Sequence, residues 1–355
     1  MKVVKFGGSS MADAGQYRKV RDILMADPER KVVIVSAAGK RFSGDHKLTD
    51  LLYLCHAHVQ YGVDCSGIFE MITDRYLGIR DELGLDLNLE PEFVELKKRI
   101  DAKSVSQEEL VSRGEYFSAK LMAAYLGFQF VDSADWVKFK LDGTVDKDAS
   151  YEALRHQVLM GYGAVIPGFY GAMPDGTIHT FSRGGSDITG ALAAAALDAS
   201  VYENWTDVSG ILMADPRIVD DPQAIPEVTY DELRELSYSG AQVLHEDSVF
   251  PVREKNIPVN IRNTNDPEAP GTMIQEEAQP DTLAVHHNIA VVAAVGRKMA
   301  FRPGISGKIF AALGESGINI RMINQGPDEL NIIFGVDNKD FKDAIRVLYN
   351  SFVTK

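Results

Sequence analysis

Two short segments place a pair of glycines where a strand runs into a helix, Lys5-Phe6-Gly7-Gly8-Ser9-Ser10 and Arg183-Gly184-Gly185-Ser186-Asp187. Without a Cβ, such a turn lets backbone N–H groups approach an anion, and the following helix N-terminus adds a favourable dipole. Lys5 supplies a point charge, whereas the guanidinium of Arg183 suits bidentate binding of a carboxylate. One Gly-Gly turn is equally typical of an ordinary strand–helix connection. The pair favours a site that holds a phosphate and a carboxylate.

Two further polar segments, and Asp187 of the second glycine turn, are candidates for the same site, and each has a purely structural alternative. Glu115, in Arg113-Gly114-Glu115, either favours a helix dipole or binds an ammonium group. Asp207 either caps the turn that leaves a strand or contacts a nucleotide, and Arg217 suits a phosphate. Asp187 either caps its helix or orients a lysine ammonium.

Composition and missing motifs exclude several classes of function. The 355 residues carry a formal net charge of -14, which argues against nucleic acid and anionic membranes as partners. Neither a G-x-x-x-x-G-K-[ST] motif nor a G-x-G-x-x-G motif after a strand is present. The N-terminus lacks signal-peptide features, and no apolar run is long enough to span a bilayer. With two cysteines only, Cys55 and Cys65, a cytoplasmic protein is predicted. The spacing of Cys55, His56 and His58 matches no zinc pattern, so we predict no metal site.

The elements that must position these residues alternate along the chain. Strands are predicted at 3–6, 31–36, 128–132, 164–167 and 201–205, and helices at 14–25, 48–60, 91–100, 108–126, 151–160, 187–197 and 230–236. This alternation indicates an α/β fold with a mainly parallel sheet, whose ligands bind beyond the carboxyl ends of the strands. Residues 266–280 read as a connector. A βαββα series then follows, with strands at 289–296, 318–324 and 330–336 and helices at 305–315 and 339–352.

Five segments in fixed order, KFGGSS, SRGE, TFSRGGSD, WTDVSGILMADPR and GAQVLHEDSVFPV, resemble the aspartokinase branch of the amino acid kinase family. Residues 291–336 resemble an ACT domain, a ligand-sensing module. The resemblance implies a three-layer αβα sandwich with a mainly parallel central sheet at residues 1–272. A single ferredoxin-like βαββαβ ACT domain would follow at 282–355. The first of the two ACT units usual in the family is missing around residues 274–281.

For function, the resemblance implies transfer of the γ-phosphoryl group of MgATP to the β-carboxylate of L-aspartate. The products would be 4-phospho-L-aspartate and ADP, in the first step toward lysine, threonine and methionine. It also implies a homodimer formed through ACT domains and regulation by lysine or threonine, although the missing ACT unit leaves the effector open. Two alternatives remain: a sibling kinase that phosphorylates another carboxylate substrate, such as glutamate or an acetylated amino acid, and a catalytically silent amino-acid sensor.

The resemblance also assigns site residues by motif. Lys5 would neutralise the transferred phosphoryl group and Asp187 would orient Lys5. Substrate binding falls to Ser36, Glu115, Arg183, Gly184, Gly185 and Ser186. Nucleotide binding falls to Gly7, Gly8, Ser9, Thr206, Asp207, Asp215, Arg217 and Gln242, and effector binding to Gly304, Ile305, Asn319 and Ile320.

The chain departs from the family pattern at two positions of the fifth segment and at one position of the fourth. Gln242 stands where a lysine is common, Glu246 where a proline is common, and Leu212 where a tyrosine is usual. A glutamine cannot neutralise phosphate charge, so reduced nucleotide affinity is expected unless Lys255, Arg253 or Mg²⁺ compensates.

Overall fold

The computed structural model describes residues 1–158, 162–182, 184–215, 218–238, 244, 246–276, 283–288, 291–296, 303–325 and 331–353. The chain forms two compact units. The first unit comprises Met1–Asp207 and Ser248–Pro267, and the second comprises Val208–Asp247 and Glu268–Lys355. The predicted domain boundary at residue 272 stays a prediction.

The strands, in chain order, are β1 Lys2–Phe6, β2 Arg30–Val35, β3 Gln129–Phe130, β4 Ala164–Pro167, β5 Tyr170–Ala172, β6 Ile178–Thr180, β7 Val201–Thr206, β8 Glu227–Thr229, β9 Val259–Asn263, β10 Thr272–Gln275, β11 Leu283–Asn288, β12 Val291–Gly296, β13 Ile320–Gln325 and β14 Asn331–Val336. The α-helices are α1 Ala14–Met25, α2 Leu48–Gln60, α3 Ser66–Glu82, α4 Glu90–Asp101, α5 Gln107–Leu126, α6 Ser133–Trp136, α7 Lys147–Gln157, α8 Gly185–Ala196, α9 Tyr230–Tyr238, α10 Glu246–Arg253, α11 Ile305–Glu315 and α12 Phe341–Phe352. One 3₁₀ helix spans Gly8–Met11.

Six strands of the first unit lie in the order β3-β4-β2-β1-β7-β9, and every neighbouring pair is parallel. Consecutive side chains of a strand point to opposite faces, yet Val32, Val33, Ile34 and Val35 are all buried. Both faces of the sheet are therefore covered, as expected for a continuous apolar strand. The predicted mainly parallel α/β fold is confirmed.

The register of the three central strands sets the position of the candidate site. Phe6 pairs with Val35 on β2 and with Trp205 on β7, so the three strands end at the same level. The backbone continues this alignment past the strand ends, because Ser36 N donates to Phe6 O (3.1 Å) and Gly7 N donates to Trp205 O (3.0 Å). The loops that follow β1, β2 and β7 consequently leave one edge of the sheet together.

Helix α3 was not among the predicted helices, although its pattern is present in the sequence. Phe69, Ile72, Tyr76 and Ile79 recur at spacings of three and four residues and are buried. Within this core the ring centroid of Phe117 on α5 lies 5.7 Å from that of Tyr76. A third ring, Phe93 of α4, has its centroid 4.5 Å from that of Phe117, so three helices share one aromatic cluster.

The second unit contains a strand within the predicted connector. β10 pairs in parallel with β8, and Ile274 is fully buried. The hydroxyl of Thr272 accepts a hydrogen bond from Ile211 N (2.8 Å) and donates one to Ile225 O (2.5 Å). The interpretation of residues 266–280 as a connector was wrong for Thr272–Gln275. The alternation of buried and half-buried side chains there is the strand signal.

The C-terminal part of the second unit is a four-stranded antiparallel sheet in the order β11-β12-β14-β13, accompanied by α11 and α12. The predicted βαββα series is present, and helix 305–315 has its predicted bounds. Strand β11, which was not predicted, precedes this series. We call residues 283–353 the C-terminal module. Among the described residues, no helix is sufficiently long and apolar to cross a membrane.

Helix α12 also contacts the segment 208–225 of the same unit. Arg346 Nε donates to Ile218 O (2.9 Å), and the hydroxyl of Tyr349 accepts from Gln223 N (2.7 Å). Asn331 on β14 donates to the carboxylate of Glu235 on α9. These bonds explain why Val208–Asp247 forms one compact unit with the C-terminal module.

Two helical glycines give opposite predictions for stability. A Cβ at Gly190 on α8 would lie 2.7 Å from Cε2 of the buried Tyr202, whereas a Cβ at Gly78 on α3 would meet no atom within 4 Å. Gly190→Ala should lower the free energy of unfolding by about 1–3 kcal/mol through overpacking. Gly78→Ala should raise it by up to about 1 kcal/mol, because alanine restricts the unfolded chain and favours helix. Urea unfolding measures both, and equal shifts of the two variants would contradict the packing argument.

Candidate functional site

The turn after β1, Gly7–Ser10, is held by backbone contacts and by a hydrogen bond between the hydroxyls of Ser10 and Thr264 (2.7 Å). Gly7 precedes the 3₁₀ helix Gly8–Met11, and Ser10 N donates to Gly7 O (3.0 Å). The first N–H groups of a helical turn have no acceptor within the turn, so those of Gly8 and Ser9 suit an anion. We call Gly7–Met11 the phosphate turn. The structure thus places the N–H groups of the predicted residues Gly8 and Ser9 at the start of one turn, whereas the N–H of Gly7 is taken up by its hydrogen bond to Trp205 O (3.0 Å).

The loop after β2 packs directly against the phosphate turn. Gly39 N donates to Gly8 O (2.8 Å). A Cβ on Gly39 would lie 2.7 Å from both the carbonyl carbon and oxygen of Gly8, and a Cβ on Gly8 would lie 3.0 Å from Ala37 O. Only glycines permit this approach of two backbones. Gly39 was missed in the sequence because a lone glycine after Ala37-Ala38 resembles any loop residue.

Lys5 and Asp187 come together as predicted from their motifs. Lys5 Nζ lies 2.7 Å from Asp187 Oδ1, and the lysine side chain is only 9% exposed. Asp187 lies in the first turn of α8, while Lys5 lies on β1 one residue before its end. Desolvating an ammonium group is unfavourable unless an opposite charge compensates, and the Asp187 carboxylate provides that charge.

Asn204, which sequence reasoning missed, supports this ion pair. It is fully buried on β7 in register with Lys5, and its Nδ2 donates to Asp187 Oδ1 (2.8 Å). The hydroxyl of Tyr202 donates to the main-chain oxygen of Asp187 (3.2 Å). Asn204 Oδ1 has no hydrogen-bond partner among the residues with described side chains. A polar amide inside the strand Val201–Thr206 was the available signal.

The second glycine turn is also built by close packing. Gly184 has a left-handed backbone (φ 57°) immediately before α8, and a Cβ on Gly185 would lie 2.9 Å from Cα of Phe169. Phe169 N donates to the hydroxyl of Thr189 (3.0 Å). Ser186 is buried beside Gly168. The predicted carboxylate ligand Arg183 lies outside the described residues.

Glu115 on α5 is a buried carboxylate that lacks a full set of partners. It is 5% exposed, and its Oε2 accepts no hydrogen bond from any described residue. Desolvation raises the pKa of Glu115 to about 8, although N–H groups of Ala37 and of Glu115 itself, together with the charge of Lys5, lower it. Ala37 follows the predicted substrate residue Ser36, so Glu115 faces the loop after β2. A cation bound beside Glu115 would stabilise the ionised form of this buried carboxyl group.

The predicted nucleotide residues divide between the two units. Thr206 ends β7 in the first unit and pairs with Asn263 of β9, and Thr264 N donates to Thr206 O (2.9 Å). Asp207 follows it. In the second unit, Asp215 O accepts from Ile218 N (2.9 Å) and forms a turn. Arg217 and Gln242 lie outside the described residues.

Lys255, a proposed substitute for the lysine absent at Gln242, lies in the wrong place. Its ammonium binds the carboxylate of Asp198, which follows the C-terminal end of α8. The twelve residues of α8 span about 18 Å, and Asp187 is at the opposite end. Lys255 therefore does not compensate for Gln242 at the Lys5–Asp187 pair.

The predicted effector residues lie at two ends of one helix. Gly304 and Ile305 begin α11, whereas Asn319 and Ile320 follow its C-terminal end. The eleven residues of α11 span about 16 Å. One copy of the module does not bring the four residues together.

The raised pKa of Glu115 predicts a pH dependence of stability. The folded protein retains a proton up to about pH 8 that the unfolded chain releases above pH 4.5, so this group's contribution to stability falls as pH rises between these values. Glu115→Gln cannot ionise and should gain stability relative to the parent protein as pH rises from 5 to 8. The exposed Glu95→Gln, on α4, serves as the control and should keep the parent's pH dependence. Chemical unfolding across this range tests the prediction, and parallel curves for all three proteins would contradict it.

Known proteins resemble this chain over most of its length. Residues 1–263 match the model of the amino acid kinase family, and residues 292–352 match an ACT domain model. Aspartokinase 3 of Bacillus subtilis (strain 168) is 31% identical over 448 aligned positions that cover 99% of this chain and 98% of that protein. Because this chain has only 355 residues, the relative contains segments that have no counterpart here.

Two solved structures share the fold over nearly the whole chain. The crystal structure of Clostridium acetobutylicum aspartate kinase has a TM-score of 0.93 and 38% identity, covering 99% of this chain and all of that one. E. coli aspartokinase III in complex with lysine and aspartate (T-state) has a TM-score of 0.70 and 27% identity, covering 95% of this chain and 79% of that one.

Proposed function

This chain belongs to the amino acid kinase family, and on that basis we propose that it transfers the γ-phosphoryl group of MgATP to the β-carboxylate of L-aspartate. Its function is that of an aspartate kinase, since relatives with that activity in their names align along nearly their full length at 31% and 38% identity. The observation that carries the chemical proposal is the buried Lys5 ammonium, paired with Asp187 next to the phosphate turn.

In the proposed reaction, an oxygen of the substrate's β-carboxylate attacks the γ-phosphorus, and the bond from that phosphorus to the bridging oxygen of ADP breaks. The carboxylate is already ionised at neutral pH, so no general base is required. Lys5 neutralises charge on the transferred group while the N–H groups of Gly8 and Ser9 hold its oxygens. Asp187 keeps the Lys5 ammonium in position, and Asn204 keeps Asp187 in position. Catalysis of this kind is mainly positioning and electrostatics.

Mg²⁺ enters this proposal as part of the substrate MgATP. Among the described residues, no group of three or more His, Cys, Asp or Glu side chains could hold a metal ion. Magnesium bound to a nucleotide takes most ligands from phosphates and water, which fits a site without a protein cage. Asp187, the acid that pairs with Lys5 beside the phosphate turn, is already engaged by Lys5 and Asn204.

Glu115 is the proposed partner of the substrate's ammonium group. Its buried, incompletely bonded carboxylate provides what an amino acid substrate requires at that position. A bound ammonium would lower the raised pKa of Glu115 and release its proton. Ser36, Arg183, Gly184, Gly185 and Ser186 complete the proposed substrate side, with Arg183 binding a carboxylate, and Thr206, Asp207, Asp215, Arg217 and Gln242 the nucleotide side.

An amino acid effector and a homodimer are further parts of the proposal. E. coli aspartokinase III has been solved with lysine, and this chain carries an ACT domain of its own. Strand β13 is an edge strand of the C-terminal module, and its Met322 and Ile323 are exposed. Exposed apolar residues on an unpaired edge favour association with a second copy.

Trapping of the acyl phosphate with hydroxylamine tests the reaction. We expect ATP-dependent hydroxamate with aspartate and little with glutamate. Lys5→Met should lower turnover by about 10²-fold or more, because a preorganised charge at the transferred group is lost. Lys31→Met, near the start of the neighbouring strand β2, is the control and should remain close to the parent. Hydroxamate with glutamate instead would indicate the sibling kinase, and none with any carboxylate would indicate a sensor.

The contact between α12 and segment 208–225 predicts that the C-terminal module supports nucleotide binding. Tyr349→Phe leaves Gln223 N without its acceptor, within the segment that also carries Asp215. Loss of this bond should raise KM for ATP about 2- to 10-fold. Tyr61→Phe, at an 86% exposed tyrosine, makes the same chemical change elsewhere. Steady-state kinetics in which both variants match the parent would contradict the prediction.

A further inference from the structure

Arg75 on α3 is a buried arginine that the proposed mechanism does not use. Its side chain is 6% exposed, and α3 contributes none of the predicted site residues. Its guanidinium contacts Ala12, which follows the phosphate turn, and two positions of the loop after β2, the carbonyl oxygen of Gly39 and the carboxylate of Asp45.

The contacts of Arg75 divide between its two terminal nitrogens. Nη1 donates to Gly39 O (3.1 Å) and reaches Ala12 O (3.5 Å), which immediately follows the phosphate turn. Nη2 donates to both carboxylate oxygens of Asp45 (2.8 and 3.0 Å). A planar guanidinium can serve three acceptors at fixed angles, which a lysine ammonium or a neutral amide cannot reproduce.

Asp45 anchors this arrangement from the other side. Its carboxylate is buried and also accepts three hydrogen bonds from Arg41, including one from the backbone N (3.0 Å). The two arginines hold the pKa of Asp45 well below its usual range. Asp45 therefore remains ionised at neutral pH and balances the charge of Arg75, whose burial would otherwise be unfavourable.

Gly39 links this ion pair to the phosphate turn. Its carbonyl oxygen accepts from Arg75 while its N–H donates to Gly8 O (2.8 Å), so both ends of one residue are fixed. The C=O of Gly8, which accepts from Gly39, and the N–H of Ser9 belong to one planar peptide group and point in opposite directions. The direction of that N–H is consequently set through Gly39 by Arg75.

We propose that Arg75, held by Asp45, is a positioning residue that orients the amides of the phosphate turn toward the terminal phosphates of ATP. It acts from behind the turn without touching the nucleotide. The inference rests on the proposed nucleotide site and adds a residue from an element that has no part in substrate contact. Its loss should weaken nucleotide binding more than aspartate binding, because the hydrogen bonds converge on Gly8 and Ala12.

Arg75→Gln removes the charge and the forked geometry, and Arg80→Gln is the matched control. Arg80 lies on the same helix and forms ion pairs with Asp81 (2.7 Å) and Glu90 (2.6 Å), and its hydrogen bonds to described residues do not involve the phosphate turn. We expect Arg75→Gln to raise KM for ATP and Kd for ADP at least fivefold, with KM for aspartate changed less than twofold. Arg80→Gln should change all three constants less than 1.5-fold. Steady-state kinetics and calorimetric titration with ADP supply these values.

Equal KM and Kd values for Arg75→Gln and Arg80→Gln would overturn the proposal. An equal rise of KM for ATP and for aspartate in Arg75→Gln would also overturn it, because it would indicate a general loss of structure. If Arg75→Gln does not fold, Arg75→Lys and Asp45→Asn are judged by the same criteria. Both variants should weaken ADP binding more than aspartate binding. Arg75→Lys keeps the positive charge but loses the guanidinium geometry, and Asp45→Asn keeps the guanidinium but removes the carboxylate that holds it. A parent protein that binds neither ADP nor ATP would overturn the proposed function itself.

Discussion

A lysine ammonium buried at the end of a central strand is the constraint on which this site depends. Lys5 is almost fully desolvated, so it requires an anion at hydrogen-bond distance, and Asp187 provides it from the first turn of α8. The ion pair therefore fixes α8 relative to β1. It also leaves a cation that can be shared with a phosphate once one binds. Asn204 restrains Asp187 from β7, so three elements define the position of one positive charge.

The strand register brings the other loops of the candidate site close to the Lys5–Asp187 pair. Because β1, β2 and β7 end at one level, their loops must pack within a few ångströms of one another. Gly8 and Gly39 make this possible, since any side chain at Gly39 would collide with the phosphate turn. The closely packed backbones of these loops provide N–H groups as hydrogen-bond donors but carry no net charge. Positive charge has to come from Lys5, while the buried carboxyl group of Glu115 lies on the proposed substrate side.

The alternation of apolar strands and helical patterns was sufficient to predict a mainly parallel sheet, and neighbouring residues were sufficient for the glycine turn after Lys5 and for the bounds of helix 305–315. Asn204 and Arg75 were not predictable in the same way. Their roles follow from partners far along the chain, Asp187 for the first and Gly39 for the second. Strand β10 was missed because its Pro- and Gly-rich surroundings are typical of a connector, whereas pairing with β8 decides its conformation.

In the second unit, helix α12 holds backbone atoms close in sequence to the proposed nucleotide residue Asp215. Helix α12 binds backbone atoms of Ile218 and Gln223, so it restrains the backbone at these two positions independently of their side chains. A shift of α12 would move these atoms directly, without any intermediate element. A ligand can exert such a shift only by binding one position of the module more tightly than another. Because these bonds join the C-terminal module to the segment that bears Asp215, the module is a structural support of the proposed nucleotide side as well as its proposed sensor.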